Sequence, residues 1–172
     1  MKSGIMSFSE GGAVCKRYRK EADMIRVLFV CHGNICRSTM AECVMRYLVD
    51  KAGVADDFHI DSAATSREDI GSDVHPGTRR KLSELGIPCG HHRARQVTLA
   101  DYGRFDHIVI MDEENAWGLE CILRGDPEGK VSKLLSWAGL DRDVADPWYT
   151  GDFDATYRDV RMGCQAMLET LS

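Results

Sequence analysis

From Val27 to Val30 four apolar residues run without a turn residue into Cys31, and the chain continues His-Gly-Asn-Ile-Cys-Arg-Ser to Ser38. The apolar run reads as a strand buried on both faces, as in a parallel sheet. A helical pattern follows over residues 39–52, with Met40, Val44, Tyr47 and Leu48 on one stripe. Thr39 and Glu42 have the spacing of a capping box at its start. Residues 31–38 therefore join the C-terminal end of a strand to a helix N-terminus. Open α/β sheets bind ligands there, and the free N–H groups of a helix start point at anions.

That placement favours one chemistry. Cysteine is a nucleophile as thiolate, and a helix N-terminus, loop amides and a nearby arginine all favour that form. The same donors suit a phosphate dianion. Arg37 can grip two phosphate oxygens at once, which a lysine cannot. Gly33 is expected to let the backbone turn tightly under the anion. Asn34 is expected to tolerate a left-handed backbone and to pin the loop with its side chain. A thiolate beneath a bound phosphate implies phosphoryl transfer to sulfur.

Cys-x5-Arg alone is a weak pattern, and it recurs at Cys89 and Arg95. That copy follows Gly86-Ile87-Pro88, has no long apolar run before it and no clear helix after it, and reads as chance. The first copy has strand, glycine, asparagine, arginine, hydroxyl and helix in order. Far along the chain, Asp146-Pro147-Trp148-Tyr149 joins a carboxylate to a stiff proline and two flat rings. On these two motifs, with Asp61-Ser62-Ala63 and His92-Arg93-Ala94-Arg95-Gln96 between them, residues 24–172 resemble the low-molecular-weight protein tyrosine phosphatases.

The resemblance implies a nucleophile at Cys31, phosphate oxygens on Arg37 and a proton donor at Asp146. It implies a phosphate loop of His32, Gly33, Asn34, Ile35, Cys36 and Ser38, with Trp148 and Tyr149 as walls for an aromatic substrate. Ser62 and His92 would support the loop, although Ser62 by its spacing is equally a turn serine. Cys36 would form a reversible disulfide with Cys31. No cofactor and no metal are implied, because Arg37 and the loop amides supply the positive charge. The implied fold is a single-domain α/β structure with a four-stranded parallel sheet, order 2-1-3-4, flanked by helices. The alternation of strand and helix patterns along the chain points to a parallel α/β sheet on its own.

The remaining segments fit that outline. Residues 58–63 read as a strand, 65–76 as a polar loop overhanging the site, and 76–85 as a helix stopped by Gly86 and Pro88. Residues 89–92 read as a short strand, Thr98 as the N-cap of a short helix, and 105–111 as another strand. Asp112 is either the N-cap of a helix over 113–121 or a residue that positions the site loops. The last strand falls within 131–137. Phe153, Tyr157, Val160, Cys164, Met167, Leu168 and Leu171 form one stripe of a terminal helix over 152–171. Two positions depart from the family pattern. Glu68 stands where many relatives carry an aromatic residue, and is either a like charge near phosphate or a solvated surface glutamate. Thr39 stands where proline is common.

Composition narrows the setting. A chain of 172 residues with net charge −5 suits one domain. Its seven cysteines have no scaffold spacing and no Cys-x2-Cys pair, so neither a disulfide framework nor a zinc site is expected. Free thiols fit a reducing cytoplasm. No basic stripe with interleaved aromatics points to nucleic acid, and no apolar run nears the ~20 residues of a membrane span. A monomer is expected. Residues 1–23 mix Ser, Gly and charge and read as a disordered or accessory extension, without the apolar core of a signal peptide. Met24 reads as the natural start, which mass spectrometry of the natively expressed protein checks.

The expected activity is hydrolysis of phosphotyrosine in protein substrates through a phosphocysteine. Protein-arginine phosphatases on the same scaffold tend to carry threonine at the position of Ile35. Arsenate reductases share the loop but use a closely spaced distal cysteine pair and lack the Asp-Pro donor. A phosphocysteine carrier or a phosphate-binding module would have no need of Asp146.

Overall fold

Residues 23–172 are described by the structure, a computed structural model; the expected extension lies, apart from Asp23, outside the described residues. Four parallel strands form one sheet: β1 (Ile25–Cys31), β2 (Phe58–Ala64), β3 (His107–Ile110) and β4 (Val131–Lys133). Their order is β2-β1-β3-β4, as the resemblance implies. The helices among the described residues are α1 (Arg37–Lys51), α2 (Pro76–Glu84), α3 (Leu99–Arg104), α4 (Glu113–Leu123), α5 (Pro147–Thr150) and α6 (Phe153–Leu171). None is long and apolar enough to cross a membrane.

β1 is central, and Val27 to Val30 are fully buried. Because strand side chains alternate in direction, successive residues feed two cores. Val27 and Phe29 pack with Met40, Val44 and Leu48 of α1 and with Val160, Cys164 and Met167 of α6. Leu28 and Val30 pack with Phe105, Ile108 and Leu119 on the opposite face. A run apolar at every position is what a strand covered on both sides requires. Register then fixes the site: Cys31 pairs with Ala64 at the sheet's C-terminal edge, where β1 parts β2 from β3.

α6 reaches this core through a glycine. A Cβ on Gly163 would lie 2.7 Å from Leu134 Cδ1 and 3.0 Å from the Leu134 carbonyl oxygen. Backbone cannot yield as a flexible side-chain tip does. Gly163→Val is therefore expected to destabilise the protein by about 1–3 kcal/mol through overpacking, read as a lowered thermal midpoint.

Three expectations are corrected. α1 begins at Arg37, two residues earlier than its pattern implied, and Thr39 and Glu42 form no capping box. Thr39 Oγ1 donates instead to the Cys36 carbonyl at 2.9 Å, while Glu42 accepts from Ser62 Oγ at 2.5 Å and pairs with Arg46. A buried serine beside the loop competes successfully for that carboxylate. Residues 89–92 form no strand. They belong to a strap that runs past the sheet edge, touching it at the bridge between Gln96 and Ala64. Its backbone is bonded to the 65–75 loop through Gly71 and Ser72, and its His92 side chain turns to the site. Gly33 does not make the turn: the left-handed residue is Asn34, at φ 57°. At Gly33 the Asp69 carboxylate lies against the backbone, where a Cβ would displace it.

Candidate active site

Asn34 organises the loop between β1 and α1. It is fully buried, and its side chain is satisfied on every side. Asn34 Nδ2 donates to Ser38 Oγ and Ser62 Oγ, both at 2.9 Å. Asn34 Oδ1 accepts from the Arg95 amide at 3.2 Å, which settles which end of the side chain is oxygen. His92 Nε2 lies 2.7 Å from the Asn34 carbonyl, so the strap holds this residue at two atoms.

The carbonyls of Cys31, His32, Asn34, Ile35 and Cys36 are all held by hydrogen bonds. Those of Cys31 and His32 accept from the Thr65 and Ser66 amides at 2.9 and 3.0 Å. The Ile35 carbonyl accepts from the His75 amide at 2.8 Å, and the Cys36 carbonyl from Met40 N and Thr39 Oγ1. With its carbonyls so held, the loop turns its N–H groups in. The amides of Gly33, Ile35, Cys36, Arg37 and Ser38 have no acceptor among the described residues, and the last of these sit at the start of α1. This is a ready-made anion cradle.

Cys31 Sγ lies in that cradle. The Asn34 amide donates to it at 3.3 Å, and Ser38 Oγ is 3.1 Å away. The network decides the direction of the second contact. Ser38 Oγ already accepts from Asn34, so its single proton is free for the sulfur. Ser62 repeats this pattern farther from the sulfur, accepting from Asn34 and donating to Glu42. Negative charge on Cys31 is thus met by an N–H and an O–H. Cys36 differs: burial first, then the charges of Cys31 and Asp146, push its thiol up to about 12.

Arg37 is buried and forks between two carboxylates. Nη1 donates to Asp112 Oδ2 at 2.5 Å and to the Val144 carbonyl at 3.3 Å, while Nη2 is 3.0 Å from Asp146 Oδ2. Burial opposes the guanidinium charge, but Cys31, Asp112 and Asp146 outweigh it and hold Arg37 above its ordinary value. Asp112 serves in both of its expected capacities, since its other oxygen accepts from Asn115 N at the start of α4.

Asp146 is the N-cap of α5, with Oδ1 accepting from the Trp148 amide at 3.0 Å. The segment before it is tied down. Thr156 Oγ1 donates to the Ala145 carbonyl at 2.9 Å, and Arg142 makes a two-pronged pair with Asp159 at 2.6 and 2.9 Å. The cleft mouth has Trp148 and Tyr149 on one side, 64% and 80% exposed. Glu68, Asp69 and Glu114 line the same cleft. His32 lies between two of these acids, 3.1 Å from Glu68 and 3.6 Å from Glu114.

A family model described as low molecular weight phosphotyrosine protein phosphatase matches residues 26–172. The chain belongs to this family. It is 38% identical over 150 residues to the low molecular weight protein-tyrosine-phosphatase YfkJ of Bacillus subtilis (strain 168), covering 86% of this chain and 96% of that protein. The crystal structure of YfkJ gives a TM-score of 0.83 at 37% identity, covering 88% of this chain and 96% of that one. The human low molecular weight phosphotyrosine protein phosphatase is 38% identical over 151 residues, with 83% and 93% covered. DARP, a drosophila arginine phosphatase, gives a TM-score of 0.77 at 31% identity, with 85% and 97% covered.

In this member of the low-molecular-weight phosphatase family, one cleft brings together Cys31, His32, Gly33, Ile35, Cys36, Arg37, Asp146, Trp148 and Tyr149. Asn34, Ser38, Ser62 and His92 stand behind it as a hydrogen-bonded support. Arg95, in the second Cys-x5-Arg copy, pairs with Asp61 and Asp101 away from the cleft. Sequence reasoning missed Glu42 behind Ser62, Asp69 and Glu114 at the mouth, and the Arg142–Asp159 anchor. Only Asp69 carried a clue, being adjacent to Glu68 in a loop expected to overhang the site.

Proposed function

We propose that this protein hydrolyses phosphotyrosine in protein substrates through a phosphocysteine on Cys31, with residues 24–172 as the catalytic domain. The observation that carries the reading is Cys31 Sγ inside a ring of inward amides, with Arg37 held beside Asp146. Phosphate oxygens take the loop N–H groups and Arg37, where the charge of a loose transition state is spread. Cys31 attacks phosphorus in line, the bond to the phenolic oxygen breaks, and Asp146 gives that oxygen its proton. Asp146 then takes a proton from water, which attacks the phosphocysteine and returns Cys31 as thiolate to the donors of Ser38 and Asn34. A proton donor on the leaving-group side separates hydrolysis from mere phosphate binding. A monomer is part of this reading, and its free thiols suit the cytoplasm.

The test is turnover of phosphotyrosine peptides in the presence of a metal chelator, run beside phosphoarginine peptides. Preference for phosphotyrosine supports the reading, and preference for phosphoarginine overturns its substrate. The mouth adds a graded expectation. Glu68 and its acidic neighbours repel acidic peptides, so Glu68→Gln should raise kcat/KM on them by about two- to five-fold, lower it on basic peptides and leave neutral peptides nearly unchanged.

Cys36 is proposed as the resolving thiol for Cys31. A peroxide converts Cys31 to a sulfenic acid, and the Cys36 thiol condenses with it, releasing water. Peroxide-inactivated protein should regain most of its activity with a thiol reductant, and Cys36→Ser protein should not. Recovery equal in the two would remove Cys36 from the scheme.

A further inference from the structure

Outside the cleft two more thiols meet. Cys43 on α1 and Cys89 on the strap are 46 residues apart in sequence, yet Cys43 Sγ donates to Cys89 Sγ at 3.2 Å. Both are half-buried, beside a shallow cleft bordered by Thr39, Arg46 and His91. Arg79 Nη1 donates to the Cys89 carbonyl at 3.1 Å, fixing that residue's backbone and placing a positive charge near its sulfur. The two sulfurs are not equivalent. The hydrogen bond from Cys43, aided by Arg79 and opposed by burial, draws the Cys89 thiol down to about 7. The same bond, and then burial, pushes Cys43 up. Among the described residues no three side chains gather to hold a metal ion, so the pair lacks the ligands of a zinc site.

We propose that Cys43 and Cys89 form a redox-modification site separate from the phosphate cleft, oxidised by hydroperoxides to a disulfide that staples α1 to the strap. The Cys89 thiolate attacks a peroxide oxygen, the O–O bond breaks, and the leaving oxygen departs as alcohol or water. Cys89 is then a sulfenic acid. The sulfur of Cys43 attacks it, the S–S bond forms, and hydroxide leaves with the Cys43 proton as water. The two thiols lose two electrons, which the peroxide gains. Closing 3.2 Å to the ~2.05 Å of a disulfide takes side-chain rotation at two partly exposed residues. The strap carries His92 and Arg95, which hold Asn34, so the staple fixes the support of the phosphate loop.

Trypsin separates the two thiol pairs: Cys43 falls in residues 38–46, Cys89 in 82–93, and Cys31 with Cys36 in 27–37. The full-length protein is treated with a few equivalents of hydrogen peroxide in inorganic phosphate, digested, and its peptides identified by mass spectrometry. The expected product joins 38–46 to 82–93 and is undone by a thiol reductant. In Cys43→Ala protein, Cys89 instead gives a dimedone-reactive sulfenic acid. Oxidation is also expected to raise the wild-type thermal midpoint by roughly 5 °C or more, through loop closure, and to leave that of Cys43→Ala unchanged. Three results overturn the proposal: no joined peptide, a joined peptide that contains 27–37 instead, or an equal midpoint shift in both proteins.

Discussion

Cys31→Ser is expected to lower turnover of p-nitrophenyl phosphate by at least about 10⁴-fold while phosphate still binds. On the proposed mechanism the two consequences separate because the cleft has two jobs. Binding rests on the inward amides and on Arg37, which Asp112 and the Val144 carbonyl hold from behind, and neither depends on the sulfur. A serine hydroxyl fits beneath the same two donors, the Asn34 amide and Ser38 Oγ, so the loop keeps its shape. The chemistry fails because a hydroxyl is scarcely ionised near neutral pH and needs an adjacent base to become a nucleophile. The carboxylate that faces this cleft beside Arg37, Asp146, is engaged by Nη2 and by the Trp148 amide. The measurement is steady-state hydrolysis with a chelator present, beside calorimetric titration with inorganic phosphate. More than about one per cent of wild-type turnover in the serine protein would mean that the sulfur is not the nucleophile.

The outline of this machine is visible in the order of residues, and the reason is local geometry. Val27 to Val30 can be buried on both faces only at the centre of a sheet. Whatever follows such a strand into a helix lies at the sheet's C-terminal edge, so Cys31 and Arg37 are placed by their neighbours in sequence. Asp146 is legible for a similar reason, since a proline and two aromatics set it apart from Asp141 and Asp143. The support is legible only to a degree. Glu42 has capping-box spacing from Thr39, yet it sits behind Ser62, twenty residues away, because a buried hydroxyl needed an acceptor. The Arg142–Asp159 pair and the contact of Cys43 with Cys89 join residues whose meeting depends on how whole helices and the strap pack. No short window of sequence contains that information. Residues 89–92 of the strap read as a strand in sequence, but the His92 side chain and the Arg95 amide serve Asn34 and the Ala94 backbone serves the 65–75 loop.

Asp146→Asn gives the second large effect, and its pattern says more than its size. Asparagine can keep the N-cap contact through its one oxygen, so α5 stays in place; its amide nitrogen cannot accept from Arg37 Nη2, but Asp112 and the Val144 carbonyl still hold the guanidinium. What is lost is a group that exchanges protons. On phosphotyrosine peptides kcat is expected to fall by about 10²- to 10⁴-fold, because the phenolate must leave unprotonated. On p-nitrophenyl phosphate the first step should suffer far less, since the nitro group already stabilises the departing oxygen. The second step keeps its full handicap, because water still needs a base. Phosphocysteine should therefore accumulate, and rapid mixing should show a burst of nitrophenol close to one per enzyme before a slow steady state. Loss of the carboxylate charge beside Arg37 should also tighten binding of inorganic phosphate. A competing account makes Asp146 a positioning residue that aims Arg37 at phosphate. It predicts an equal loss on both substrates, no burst and weaker phosphate binding. The burst amplitude and the ratio of the two losses in kcat/KM, which reports the first step, decide between the accounts.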